Sequence, residues 1–187
     1  FDHLILVVAP ALGQEGLEHL KQRMIDLSSQ PVQKPPGKDR VEIGWSSSGP
    51  IFEDELDESS RLSTVRMALM EIADAQGDVD AFIGQYEEET RKFPKIAAAI
   101  AQRLLAAGRA EDALKTIEAT VHRKANDWGR LDFEWEDARI DVLEALGRAE
   151  DAQKARWGCF ERSLSADHLR AYLKRLPDFD DVEAEEE

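Results

Sequence analysis

A short stretch that decides the fold occurs almost twice, as Gly108-Arg-Ala-Glu-Asp-Ala-Leu-Lys115 and as Gly147-Arg-Ala-Glu-Asp-Ala-Gln-Lys154. Each copy follows an apolar run with helical spacing, and the copies are 39 residues apart. Near-identity at such an offset is typical of duplicated helical hairpins, because one hairpin cannot bury its apolar face alone and must stack on another. In each copy the glycine is expected to end one helix, and the following segment to begin the returning helix.

Helical spacing of apolar residues runs through most of the 187-residue chain, and strand-like alternation is nearly absent. The sequence therefore predicts an all-α fold of about four antiparallel helical hairpins. Their turns are expected at Gly13, Gly77, Gly108 and Gly147. A final helix with one apolar stripe, ending before Pro177, is expected to cap the stack at its C-terminus.

Residues 30–58 break this helical pattern, because they contain four prolines and no apolar stripe. Within them Val41, Ile43 and Trp45 alternate with a polar residue and a glycine, which predicts a short extended stretch lying against the helices. Trp45 is the candidate contact residue. Since long connections in compact domains are usually either functional or disordered, this insertion is interpreted as a packed lid or as a flexible spacer.

The domain prediction is one helical-repeat domain over residues 1–177, followed by an acidic tail over residues 178–187. Seven of the ten tail residues are acidic, and such a charge run is expected to be disordered and solvated. Because the chain starts with Phe1, it is expected to be part of a longer protein.

The third hairpin carries a small residue, a turn glycine and an alanine at Ala101, Gly108 and Ala113. This spacing resembles that of tetratricopeptide-type repeats, which are helix-turn-helix units of ~34 residues stacked into a right-handed superhelix. The fourth hairpin keeps the glycine and the alanine, and the second hairpin is more divergent, so the chain resembles a degenerate member within the broader α-solenoid class. The block from Trp135 to Asp181 also resembles the end of a bacterial family of helical-repeat proteins that brings no known activity.

The resemblance to tetratricopeptide-type repeats implies a peptide-binding groove lined by polar positions of the first helix of each hairpin. Projected from the turn glycines, these tentative partner-binding positions are Glu71, Asp74, Lys95, Gln102, Glu134, Asp137, Asp141 and Glu144. The implied groove is mostly acidic, so a basic or arginine-rich segment would be the complementary partner. The same residues also suit a solvated acidic helix face.

Catalytic and metal-binding patterns are weak. The four histidines are scattered without a helical pair, and one cysteine cannot build a zinc site, so no metal or cofactor is expected. Cys159 is interpreted as a core residue, and the lack of a second cysteine favours a reducing cytoplasm. The aromatic cluster of Trp128, Phe133 and Trp135 suits either core packing or an interface.

The net charge of −15 disfavours direct binding of nucleic acid, and no apolar run is long enough to span a membrane. The leading hypothesis is therefore a cytoplasmic, non-catalytic module for protein–protein interaction, a scaffold or adaptor. One alternative is an accessory domain of a nucleic-acid-associated protein whose binding module lies outside this segment. Another is an enzyme with a site between residues 30–58 and the helices.

Overall fold

The structure, a computed structural model, describes residues 4–31, 34–121 and 132–176. These residues form nine helices and one two-stranded sheet, so the predicted all-α class is confirmed. The chain divides into two compact units, Phe1–Gln85 and Tyr86–Glu187. The predicted acidic tail lies outside the described residues, as does Trp128.

The N-terminal unit is built on two long helices that pack against each other, α1 (Leu4–Ser28) and α2 (Glu53–Gln76). The backbone of α1 leaves the helical region at Gly13, where φ is 63° and ψ is −178°. This break is at the glycine where the sequence predicts the first turn. Leu17 from α1 and Val65, Ile72 and Ala73 from α2 are buried in the core of the unit.

A β-hairpin precedes α2 and consists of β1 (Glu42–Ser46) and β2 (Gly49–Phe52), paired antiparallel. The extended stretch predicted around Ile43 is therefore present. The expectation that the whole insertion lacks helix was wrong for its last residues, because α2 begins at Glu53. Three carboxylates occupy the first turn of α2, where exposed N–H groups and the helix dipole favour negative charge.

The second predicted hairpin is shorter on its returning side than expected. Helix α3 (Val79–Gly84) is capped by the Asp78 carboxylate, which accepts the N–H of Ala81 at 2.9 Å. It ends after only six residues. Phe82 is buried and anchors this short helix.

The described residues of the C-terminal unit form six helices: α4 (Glu88–Arg91), α5 (Pro94–Ala106), α6 (Ala110–Glu118), α7 (Phe133–Ala145), α8 (Ala149–Ser163) and α9 (Ala166–Leu173). Helix α5 packs against α6 and α7, α7 packs against α8, and α8 packs against α9. The third and fourth predicted hairpins are thus α5–α6 and α7–α8. Ala113 and Ala152, the alanines of the duplicated stretch, are completely buried, and their small side chains allow close helix packing.

Candidate interaction surfaces

The acidic positions predicted on α7 contact helices of their own unit. The Asp137 carboxylate lies 3.0 Å from Nε2 of His168 on α9, and the Glu144 carboxylate accepts a hydrogen bond of 2.7 Å from Nε of Arg175. Glu144 also forms an ion pair with Arg156, whose side chain is almost fully buried in α8. An incoming basic partner would have to compete with the guanidinium groups of Arg156 and Arg175.

These contacts change the protonation of neighbouring carboxyl groups in opposite directions. Burial raises the pKa of Glu144, but hydrogen bonds from Arg175 and Arg156 outweigh it, so this pKa lies below its usual value. Burial, together with repulsion from the carboxylates of Glu144 and Asp137, raises the pKa of Asp141. The acidic face of α7 therefore carries carboxylates that repel one another, and Arg156 and Arg175 partly neutralise them.

The other predicted positions are divided between the two units. In the N-terminal unit, Glu71 and Asp74 lie half-buried on α2, and the Glu71 carboxylate accepts the N–H of Ile5 at 3.1 Å. In the C-terminal unit, Lys95 lies 3.8 Å from the carboxylate of Glu134 in an exposed ion pair.

Gln102, the remaining predicted position, is exposed on α5 of the C-terminal unit. It shares that unit with Lys95 and Glu134 but makes no hydrogen bond to another described side chain. The structure therefore brings Lys95 and Glu134 together, and four of the predicted carboxylates, Glu134 included, lie on α7.

An acidic cleft lies in the N-terminal unit between residues 30–31 and 34–41 on one side and the start of α2 on the other. Its volume is about 400 Å³, and Pro31, Pro35 and Val41 contribute apolar walls. Its carboxylates are Asp39, Glu53, Asp54, Asp57 and Glu58. We call this feature the acidic cleft.

The cleft is held in shape by two arginines that bind protein groups. Arg40 binds both carboxylate oxygens of Asp54, at 2.9–3.2 Å, and this hydrogen bonding lowers the pKa of Asp54. Arg61 donates to the backbone carbonyl of Leu27, at the end of α1. Within the described residues, three cleft carboxylates form no ion pair: Asp39, Glu53 and Asp57.

Three apolar residues follow one another from the cleft into the β-hairpin. Val41 lines the cleft, Ile43 lies at the irregular step in the strand pairing, and Trp45 is on β1. Trp45 is 73% exposed, and its indole N–H donates to the carboxylate of Glu42. The indole therefore presents most of its surface to solvent while its polar atom is satisfied.

Two aromatic residues of the predicted cluster are described, and they differ in burial. Trp135 is buried, and its indole N–H donates to Oγ1 of Thr120 at 3.0 Å. Phe133 is half-exposed and stacks on the ring of His168, with 5.9 Å between ring centroids. Trp135 therefore serves core packing, and Phe133 connects α7 with α9.

Sequence reasoning missed a basic groove between α7 and α8. It has a volume of about 300 Å³ and is lined by Arg139, Arg148, Lys154 and Arg162, together with Asp151 and Gly158. The available signal was the spacing of Lys154, Gly158 and Arg162, which are four residues apart and therefore share one face of α8. We call this feature the basic groove.

Features associated with catalysis are few in the part of the chain that the structure describes. Cys159 is completely buried, and burial raises the pKa of its thiol to about 11. A thiol of this kind is protonated at neutral pH and is a poor nucleophile. The described ranges contain no group of three His, Cys, Asp or Glu side chains arranged to hold a metal ion.

The structure thus defines a predominantly helical protein of paired helices with charged surface recesses. Among its described helices, none combines the length and the apolar character needed to cross a membrane. A family model covers residues 1–187, and the chain belongs to this family, which is described as a family of unknown function (DUF6880). No curated protein and no solved structure matches the sequence.

Proposed function

We propose that this protein is a non-catalytic interaction module that binds a basic segment of a partner protein in the acidic cleft. The observation that carries the proposal is a recess of about 400 Å³ lined by five carboxylates. Opposite charges across an interface speed association and select the partner, so an arginine- or lysine-rich segment fits this recess.

The local contacts of the cleft support this assignment. Arg40 is bound to Asp54 and also to Glu55 at 2.7 Å, so its charge is neutralised. Arg61 also lines the cleft, but its guanidinium is bound to the backbone carbonyls of Leu27 and Gln30, and the five carboxylates outnumber it. Asp57 and Glu58 lie one helical turn after Asp54 on α2, and they extend the acidic wall of the cleft. An incoming guanidinium would find carboxylates beside the apolar walls of Pro31 and Pro35, and arginine stems pack well on such surfaces.

Trp45 supplies a second element of the proposed interface. Exposed tryptophans frequently contribute a large share of binding free energy in protein–protein contacts, since they bury a large area with few rotatable bonds. Trp45 follows the cleft residue Val41 by four positions along the chain, so a bound segment that extends beyond the cleft can reach the indole. We therefore assign charge recognition to the cleft and apolar contact to the hairpin.

We further propose that α5–α6 and α7–α8 are successive repeats of an α-solenoid of the tetratricopeptide type. Their turns have the same hydrogen bonds: the N–H of Arg109 binds the carbonyl of Leu104 at 2.8 Å, and the N–H of Arg148 binds that of Leu143 at 2.9 Å. Identical turns at equivalent sequence positions support a common repeat unit.

The test uses the full chain and a fluorescently labelled arginine-rich peptide. The double variant Asp57→Asn with Glu58→Gln removes two of the five carboxylates of the cleft. It is expected to weaken binding of the peptide about tenfold, equivalent to ~1.4 kcal/mol. The matched control, Glu111→Gln with Glu118→Gln, removes the same charge from exposed positions of α6 and is expected to leave the affinity unchanged. Equal binding by both double variants, or no binding by the native chain, would overturn the proposal.

A further inference from the structure

We propose that the basic groove between α7 and α8 binds an acidic segment of a partner protein. This is a second binding site, in the C-terminal unit and opposite in charge to the acidic cleft, so it goes beyond the proposed function. The groove contains four cationic side chains on a chain whose net charge is −15. Their side chains are between 41% and 74% exposed, so a ligand can reach them.

Two carboxylates hold these cations in position. Glu136 is buried at the base of the cluster, where its carboxylate lies 2.6 Å from Nη2 of Arg162 and 3.7 Å from Nη1 of Arg139. Asp151 lies 2.8 Å from Nη2 of Arg148 and 3.7 Å from Nζ of Lys154. Four cations share two carboxylates, so the groove keeps excess positive charge on side chains that are already oriented.

The arginines also keep unused hydrogen-bonding capacity. Within the described residues, Nη1 of Arg148 and Nη1 of Arg162 have no hydrogen-bond partner. A guanidinium can bind a carboxylate through two parallel N–H groups, and such charge-assisted bonds are among the strongest in proteins. The groove can therefore accept carboxylates without first breaking its own ion pairs.

Gly158 leaves part of the groove wall without a side chain. It lies inside α8, where glycine is less favourable than alanine. A Cβ atom added at Gly158 would meet no other atom within 4 Å, so packing does not require a glycine there. The missing side chain instead leaves open the wall of the groove beside Arg162, whose Nε donates to the Gly158 carbonyl at 3.0 Å.

An acidic peptide fits these observations better than a nucleic acid. The groove of about 300 Å³ accommodates a few side chains, whereas a nucleic acid would extend past it over a surface that is acidic on balance. A short acidic segment needs only the local cations. Arg148, the N-cap residue of α8, and Arg162 each leave Nη1 available for a carboxylate of the peptide.

The test measures binding of a labelled glutamate-rich peptide to the full chain by fluorescence anisotropy. Arg148→Gln with Lys154→Gln is expected to weaken binding at least tenfold and leaves the contacts of buried Glu136 intact. The matched control, Arg23→Gln with Arg66→Gln, removes two exposed cations from α1 and α2 and is expected to preserve the affinity.

A second variant separates ligand binding from folding. Gly158→Leu keeps every charge and replaces glycine by a good helix former, so the unfolding temperature is expected to stay the same or rise while peptide affinity falls at least tenfold. The proposal is overturned if this variant and the Arg148/Lys154 variant both bind like the native chain. It is also overturned if a single-stranded oligonucleotide binds more tightly than the peptide.

The two proposed sites are distinguished by crossing the variants. The acidic-cleft variant with Asp57→Asn and Glu58→Gln is expected to bind the glutamate-rich peptide as the native chain does. Loss of peptide binding in this variant would contradict the assignment to the basic groove. Failure of the arginine-rich peptide to bind would contradict the proposed function alone.

Discussion

At the scale of single residues, three glycines show how similar sequence produces similar turns. Gly77, Gly108 and Gly147 have φ values of 67°, 73° and 71°, in the left-handed region that side chains disfavour. At each one, the N–H of the next residue binds a carbonyl in the last turn of the preceding helix, which is the pattern of a Schellman motif. The sequence predicts these stops because glycine follows an apolar helical run at each position.

Two glycine substitutions are expected to have opposite effects on stability. Gly108→Ala places a side chain at positive φ and is expected to lower the free energy of unfolding by about 1 kcal/mol. Gly158→Ala improves helix propensity in open space and is expected to raise it by roughly 0.5–1 kcal/mol. Urea denaturation with an unchanged m-value measures both effects. A change of the same sign in both variants would contradict the backbone argument.

The thiol of Cys159 is expected to be inert in the folded protein. Burial raises its pKa to about 11, and the reactive thiolate is therefore scarce at neutral pH. Ellman's reagent should label the native chain slowly and the urea-unfolded chain rapidly at the same pH. Rapid stoichiometric labelling of the native chain would show that the thiol is accessible and would contradict the prediction that it is inert.

At the scale of helices, the sequence predicts starts and stops better than lengths. The Asp132 side chain accepts the N–H of Trp135, as expected for a cap of α7. The start of α2 was missed because its first turns lack a continuous apolar stripe, and Leu56 and Leu62 remain exposed. The helix is stabilised there by acidic residues in its first turn and by packing on α1 further along, and tertiary packing is invisible to local periodicity.

Helix α9 is positioned by side-chain contacts that could not be predicted from helical spacing alone. His168 on α9 and Arg175 just after it contact Asp137 and Glu144 of α7, and the members of each contacting pair are 31 positions apart in sequence. The sequence identifies the acidic residues of α7, but long-range pairing decides what they contact. The carboxylates chosen as partner-binding positions therefore also serve as internal contacts for the last helix.

Glu144→Gln is expected to destabilise the protein by about 1 kcal/mol at neutral pH, because Arg156 and Arg175 lose a charged partner and the site is only partly buried. The pKa of Glu144 is lowered by folding, so its stabilising contribution is present above the pKa of the unfolded chain and is lost as pH falls through the folded value. The difference between variant and native chain should therefore shrink in acid.

Denaturation curves recorded from neutral to acidic pH check this expectation. Glu134→Gln is the control, since its ion pair with Lys95 is exposed and is expected to contribute little. A destabilisation by Glu144→Gln that stayed constant with pH would assign the effect to packing and not to charge.

At the scale of the whole molecule, composition describes the average charge but not its distribution. A net charge of −15 predicts a surface that repels nucleic acid, yet the C-terminal unit contains a groove lined by four cationic side chains. The groove could not be inferred from composition, because it forms only when α7 and α8 bring Arg139 beside Arg162. The acidic cleft was only partly visible in the sequence: four of its carboxylates are close together between Glu53 and Glu58, but Asp39 and the walls formed by Pro31 and Pro35 join them only through folding.

The excess of carboxylates also predicts where one substitution should stabilise the protein. The pKa of Asp141 is raised by burial and by the carboxylates of Glu144 and Asp137, so folding favours its protonated form and its contribution to stability improves as pH falls through that raised value. Asp141→Asn removes this penalty and is expected to raise the free energy of unfolding by up to about 0.5 kcal/mol at neutral pH.

Glu111→Gln is the matched control, because it changes the net charge equally but removes a carboxylate from the favourable first turn of α6. Thermal denaturation at low salt should show a gain for Asp141→Asn alone, and added salt should reduce that gain by screening the repulsion. Equal gains in both variants would mean that overall charge, and not the cluster on α7, limits stability.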